Sequence, residues 1–142
     1  MFFGEAEYTL DDKGRLTIPA KFRSRFSDGV MVARGLEPCL LIFTPDDWQN
    51  YVTSLYGHLP QNKENTRAIA RFVFSGASDQ TLDKQGRILL PSNLRAYAGL
   101  REDVVILGIQ DHLEVWDAEA WQKDLKNLEI NARQISENLS SP

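Results

Sequence analysis

Two short stretches hold the residues best suited to chemistry, and they follow one pattern. Asp11, Gly14 and Arg15 precede Leu16-Thr17-Ile18-Pro19, and Asp83, Gly86 and Arg87 precede Ile88-Leu89-Leu90-Pro91. In each, an aspartate, a glycine able to turn the chain and an arginine lead into a strand-like run that ends at proline. An arginine leaving a tight turn projects from a rigid base. Its planar guanidinium is the side chain best fitted to bidentate contact with guanine O6/N7 or with phosphate. The same residues also describe a turn closed by its own Asp–Arg pair, and on the pattern alone both readings stand. Basic residues gather around the first copy: residues 8–26 hold Lys13, Arg15, Lys21, Arg23 and Arg25 against Asp11 and Asp12, a net of +3. A cluster of that size also describes a solvated face.

Other chemistry finds no support. Cys39 is a single thiol, so it forms no internal disulfide, and with only His58 and His112 it builds no structural zinc site; no metal or cofactor is expected. The two histidines have no matching partners and are expected at the surface or in loops, whereas Cys39 lies in an apolar run and reads as core. Asp11-Asp12 and Asp46-Asp47 are sequence neighbours that point differently, which makes poor catalytic dyads. HExxH, GxSxG, Walker-type and GxGxxG patterns are all missing, so neither catalysis nor a small-molecule substrate is expected. No apolar run approaches the roughly 18 residues of a bilayer span. Met1-Phe2-Phe3-Gly4-Glu5 lacks the basic start and apolar stretch of a secretory signal. The expectation is a cytoplasmic protein with no membrane partner.

The elements that must position the paired motif are themselves repeated. Gly4 to Arg23 aligns with Gly76 to Arg95 at a shift of 72, with eight of 20 positions identical; Leu40 to Gln49 aligns with Leu113 to Gln122 at a shift of 73. Order is preserved, so the chain reads as a tandem duplication of a unit of about 45 residues plus a connector. Tyr8 to Leu10 and Leu16 to Ile18 are β-prone runs around a hairpin-type turn in which Gly14 can take φ > 0. Ala20 to Phe26 predicts a short helix after Pro19. Val30 to Ala33 and Cys39 to Phe43 predict strands, echoed by Val104 to Ile109 and Leu113 to Trp116. Thr44 and Asp117 are N-caps of helices expected over 45–56 and 118–128. Trp48 and Trp121 occupy equivalent helical positions and read as core or interface anchors. Asn62 to Phe74 predicts a connecting helix with Ile69, Phe72 and Val73 as its apolar stripe and Lys63, Arg67 and Arg71 on the solvated side. The polar segment from Asn131 to Pro142 is expected to fray. The division is 4–58, a connector 59–75, 76–128 and a tail 129–142. A 45-residue unit buries too little to stand alone, so two copies are expected to pack on each other and interlock.

Composition limits what this arrangement can meet. The 142 residues include 16 Lys+Arg and 20 Asp+Glu, a net of −4, which taken whole argues mildly against nucleic acid. The distribution removes the objection. Residues 1–100 hold 12 Lys+Arg and 11 Asp+Glu, and residues 101–142 hold 4 and 9, so the acidic excess is C-terminal. A phosphate backbone responds to potential within about 8–10 Å at physiological salt, not to the total.

The doubled motif resembles the SpoVT-AbrB, or swapped-hairpin, DNA-binding domain. Two copies opening with Met1-Phe2-Phe3-Gly4, together with Gly35-Leu36-Glu37-Pro38-Cys39-Leu40 and the two tryptophans, resemble the MraZ family of bacterial transcriptional regulators. The resemblance covers nearly everything but the tail. It implies a β-rich α+β fold, mostly β with short helices, in which the two repeats build a tandem swapped-hairpin β-barrel. It also implies a ring-shaped homo-oligomer on double-stranded DNA, at promoter repeats upstream of the division and cell-wall gene cluster, its own promoter included, and hence a nucleoid location.

Together with the basic neighbours, the resemblance favours the DNA reading of the motif over the closed turn. Arg15 and Arg87 are then expected to make the directed contacts, with Asp11, Gly14, Asp83 and Gly86 orienting the turns. Lys13, Lys21, Arg23 and Arg25, and in the second copy Lys84 and Arg95, are expected at phosphates. Lys13, Lys21 and Arg25 become Gln85, Asn93 and Tyr97 in the second copy, so the first repeat is expected to carry more of the affinity. An antitoxin-like member of the same superfamily is the alternative; such proteins usually have one copy and a long disordered arm. An enzyme or small-ligand binder on a duplicated barrel is a further alternative, which a deep polar pocket between the repeats would support.

Overall fold

The computed structural model describes residues 1–140; Ser141 and Pro142, the end of the segment expected to fray, lie outside the described residues. The strands are β1 (Glu5–Thr9), β2 (Arg15–Thr17), β3 (Val30–Arg34), β4 (Leu40–Phe43), β5 (Ser78–Gln80), β6 (Arg87–Leu89), β7 (Asp103–Ile109) and β8 (His112–Asp117). The helices are α1 (Pro45–Tyr56), α2 (Glu64–Ser75), α3 (Ser92–Tyr97) and α4 (Ala118–Ser140), with a 3-10 turn over Ala20–Phe26.

Six strands form one antiparallel sheet in the order β1-β7-β8-β4-β3-β5, and β2 and β6 form a separate two-stranded ribbon. Exchanging each strand for its counterpart in the other repeat reverses this order onto itself, so the repeats are related by a pseudo-twofold axis between β4 and β8. The repeats exchange strands. β1 pairs with β7 of the second repeat, β5 pairs with β3 of the first, and β2 pairs with β6. The runs on either side of each Gly turn therefore pair with the opposite repeat and not with each other. The sheet is open, with β1 and β5 as its edges. The expected β-barrel is thus not closed: β2 and β6 leave the sheet and pair together across its inner face, so they do not bridge its edges. Among the described residues helical positions also outnumber strand positions, chiefly because α4 runs 23 residues, so the fold is mixed α/β and not mostly β.

Both faces of the sheet are buried. Leu40, Ile42, Val104, Ile106, Leu113 and Val115 join Leu16, Ile18, Ile88, Leu90, Phe22, Phe26 and Leu94 in an inner core, under the ribbon, the 3-10 turn and α3. Cys39, Leu41, Phe43, Val105, Leu107 and Trp116 join Trp121, with Trp48, Tyr51 and Leu125 packed against them, under α1 and α4. Successive strand residues point to opposite faces, which is why these strands read as unbroken apolar runs.

The helix starts follow their caps. Thr44 Oγ1 accepts from the Asp47 N–H at 3.1 Å, and Asp117 Oδ2 accepts from the Ala120 N–H at 3.2 Å. The helix expected to stop near Leu128 continues to Ser140, so the described part of the polar tail is helical. Ala118, Trp121 and Leu125 anchor its first turns, while i,i+4 contacts such as Arg133–Glu137 support the exposed remainder. No helix among the described residues is long and apolar enough to cross a membrane.

Candidate nucleic-acid interface

Each Asp-x-x-Gly-Arg turn is built by its aspartate. Asp11 Oδ1 accepts from the Lys13 and Arg15 N–H groups at 3.0 and 2.8 Å, and Asp83 Oδ1 accepts from Gln85 and Arg87 at 2.9 Å each. Such side-chain bonds to backbone two and four residues ahead are how aspartate closes a turn. Gly14 and Gly86 sit at φ +80° and +75°, the left-handed region that favours glycine. The second carboxylate oxygen holds the arginine: Arg15 Nε donates to Asp11 Oδ2 at 2.5 Å and Arg87 Nε to Asp83 Oδ2 at 2.9 Å. Both carboxyl groups are held below the usual carboxylate range. The N–H of the following arginine contributes most, and the guanidinium adds to it against partial desolvation.

The antiparallel ribbon brings the two turns together. Arg15 lies opposite Leu89, Leu16 opposite Ile88, and Thr17 opposite Arg87. Leu16 and Ile88 face the inner core; by strand alternation Arg15, Thr17, Arg87 and Leu89 share the outer face. A two-stranded β-ribbon is one of the two elements that fit the major groove of B-DNA.

The arginines are not equivalent. Arg15 spends its Nε on Asp11, and among the described residues neither terminal nitrogen has a hydrogen bond, which leaves a fork free for a bidentate partner. Arg87 bonds Asp83, donates through Nη2 to Gln85 Oε1 at 2.6 Å, and has Nη1 3.7 Å from Asp11 Oδ2. Asp11 thus couples the two repeats.

The remaining basic residues divide. Arg23 Nε donates to the Ile18 carbonyl at 2.8 Å and Arg95 Nε to Leu90 at 2.9 Å, and each guanidinium lies on the turn glycine of the opposite repeat, Gly86 and Gly14 respectively. They stand at the ribbon ends, and among the described residues their terminal nitrogens have no hydrogen bond. Lys13 and Lys84 are exposed at the turn tips. Lys21 is exposed, with Nζ 4.9 Å from the Phe22 ring centre. Arg25 is drawn elsewhere: its guanidinium stacks 3.9 Å over Phe2 and lies 3.8 Å from Asp47. The outer positions Thr17 and Leu89, and the Gln80 side chain that bonds the β6 edge, were not singled out from the sequence; the two-residue alternation with Arg15 and Arg87 would have found the first two.

A surface groove of about 540 Å³ runs between the repeats past Asp28, Met31, Pro45, Trp48, Asp79 and Gln80. Among the described residues its lining includes the carboxylates of Asp28 and Asp79 and no His, Cys, Lys or Arg.

Comparison with known proteins agrees with the duplication. The family model of the MraZ protein, which its description calls antitoxin-like, matches twice, over residues 1–72 and 73–141. A protein of Roseiflexus sp. (strain RS-1) named transcriptional regulator MraZ is 44% identical over 140 residues, covering 99% of this chain and 97% of that protein. The namesake of Natranaerobius thermophilus is 42% identical over 139 residues, covering 98% and 96%. That of Caldanaerobacter subterraneus is 38% identical over 141 residues, covering 99% and 98%. With the family model matched in both halves and these relatives aligned end to end, the chain belongs to the MraZ family, whose members named here are transcriptional regulators.

Proposed function

We propose that this chain is a sequence-specific DNA-binding transcriptional regulator, without catalytic activity, that presents the β2–β6 ribbon to the major groove. The observation that carries the reading is the placement of Arg15 and Arg87 on the outer face of one ribbon, each aimed by the aspartate of its own turn. Arg15 is the principal base reader, with Arg87 the weaker of the pair. Lys13, Lys84, Lys21, Arg23 and Arg95 supply phosphate contacts around it, and Arg25 contributes at the periphery. The acidic C-terminal third leaves the opposite side unattractive to DNA.

The strand exchange between repeats is the reason to read the fold as a swapped-hairpin pair. The family relationship supports a ring-shaped homo-oligomer engaging repeated promoter elements upstream of the division and cell-wall gene cluster, its own promoter included, at the nucleoid. One ribbon offers few contacts. A ring engaging two or more DNA repeats gains on the order of 10²–10⁴ in avidity where geometry permits.

A mobility-shift assay on the promoter DNA upstream of the gene, with wild type and Arg15→Ala, tests the reading. Wild type should shift the DNA and the variant should not; equal retention by both sinks the assignment. The binding constant should fall with log[salt], and a flat dependence excludes phosphate-driven association.

A further inference from the structure

The outer face of the ribbon departs from its own twofold. The position held by Thr17 in the first repeat is held by Leu89 in the second. Leu89 is 49% exposed, although Leu16, Ile88 and Leu90 around it are buried. A lone exposed leucine is ordinary; two features set this one apart. It stands directly across the ribbon from Arg15. Ladder bonds run from Ile18 N to Gly86 O and from Leu90 N to Gly14 O, at 2.9 and 3.0 Å. Arg15 and Leu89 are therefore a non-hydrogen-bonded pair, the kind whose side chains stand closest, with Cβ atoms about 4.5–5.5 Å apart.

Its backbone is also clamped. Gln80 Oε1 accepts from the Leu89 N–H at 2.8 Å, and Gln80 Nε2 donates to the Leu89 carbonyl. One side-chain amide satisfies both polar groups of a strand edge, as a neighbouring strand would. The equivalent of Gln80 in the first repeat is Tyr8, which cannot make that pair of bonds, and among the described residues Thr17 has no such clamp.

Resting on the DNA reading above, we infer that Leu89 is a specificity-determining residue that packs on the C5-methyl of a thymine adjacent to the base contacted by Arg15, with Gln80 as its positioning residue. Leucine neither donates nor accepts hydrogen bonds, and in the major groove the thymine methyl is the base feature that an apolar side chain reads. The other half of the ribbon pairs Arg87 with Thr17, whose hydroxyl accommodates either a donor or an acceptor. The two halves therefore differ in their tolerance at the equivalent base.

The test uses the promoter duplex with each thymine replaced in turn by uracil, which lacks only the methyl. For wild type, replacement at one position should weaken binding about fourfold, the worth of one buried methyl group. For Leu89→Ala that position should lose its effect, with the unmodified duplex weakened by a similar factor. Leu89→Met should retain the uracil sensitivity. Thr17→Leu should create a second sensitive thymine. Wild-type binding that ignores every uracil, or the same uracil profile in wild type and Leu89→Ala, overturns the inference while leaving the DNA reading intact. A change in oligomeric state on Leu89→Ala with an unaltered uracil profile assigns Leu89 to a protein contact and also overturns it. If wild type fails to bind the duplex at all, the DNA reading falls and this inference with it.

Discussion

The guanidinium of Arg95, in the second repeat, lies on the α-carbon of Gly14, in the first: a methyl group added at Gly14 would stand 2.7 Å from Arg95 Cζ. The same relationship joins Arg23 to Gly86. Each turn that aims an arginine is thus packed by an arginine of the other copy, which in turn donates to its own backbone carbonyl. Each turn is closed by its own aspartate and covered by an arginine of the other copy, so the two turns pack as one unit.

Gly14→Ala combines a left-handed φ of +80° with that close approach, while Gly99→Ala at φ +63° meets nothing within 4 Å. Backbone strain alone costs about 1–2 kcal/mol at each site. Urea unfolding should show Gly14→Ala as the more destabilised, and DNA retention should fall only for that variant. Equal midpoints for the two would remove the packing role assigned to Arg95.

Arg15→Ala should weaken promoter binding more than Arg87→Ala. Among the described residues the Arg15 fork is free beyond Asp11, whereas Arg87 is committed to Asp83 and Gln85 and lies near Asp11. Loss of one bidentate base contact corresponds to about 1–3 kcal/mol, or roughly 5- to 150-fold in Kd, measurable by fluorescence anisotropy. The reverse order would place the principal contact in the second repeat.

Asp117 is buried, caps α4 through the Ala120 N–H, and is paired with Arg101 at 3.0 Å. Asp117→Ala should destabilise the fold by about 1–2 kcal/mol from the lost cap. Glu119→Ala, which removes an exposed partner of the same arginine at 2.7 Å, should change stability by less than about 1 kcal/mol. Chemical denaturation of both variants separates cap from surface pair, and similar losses would contradict the distinction.

His112 corrects an expectation. It stands half-buried at the start of β8, not free in a loop, with Nδ1 2.7 Å from Asp111, Nε2 3.7 Å from Glu114, and its ring 5.0 Å from that of Phe43. Burial by itself would lower its pKa, but the hydrogen bonds and charges of Glu114 and Asp111 outweigh it and raise the value. The folded state therefore holds the proton more tightly than the unfolded chain. That contribution is complete below the ordinary imidazole value of about 6.5 and is lost as pH rises through the higher folded value. Thermal melts of wild type and His112→Gln should differ most near pH 6 and converge at alkaline pH; a gap independent of pH would show that the imidazolium contributes nothing.

The sequence by itself determined the duplication, the paired Asp-x-x-Gly-Arg turns, the caps at Thr44 and Asp117 and the apolar runs of both cores. Each of these is a local matter of residue type and spacing. Which strands would pair was decided by tertiary structure. The runs flanking Gly14 have the period of a hairpin, yet they pair with β7 and β6, because a short unit buries its apolar face only against its copy. The expected barrel does not close for a related reason: β2 and β6 pair with each other over the inner core, which leaves β1 and β5 as edges. Contacts between residues 72 positions apart or more, such as Arg95 on Gly14 and Arg87 near Asp11, carry no local signature. The sequence named the basic residues; only the fold showed that Arg15 keeps a free fork, that Arg25 turns to Phe2 and Asp47, and that Leu89 stands beside Arg15.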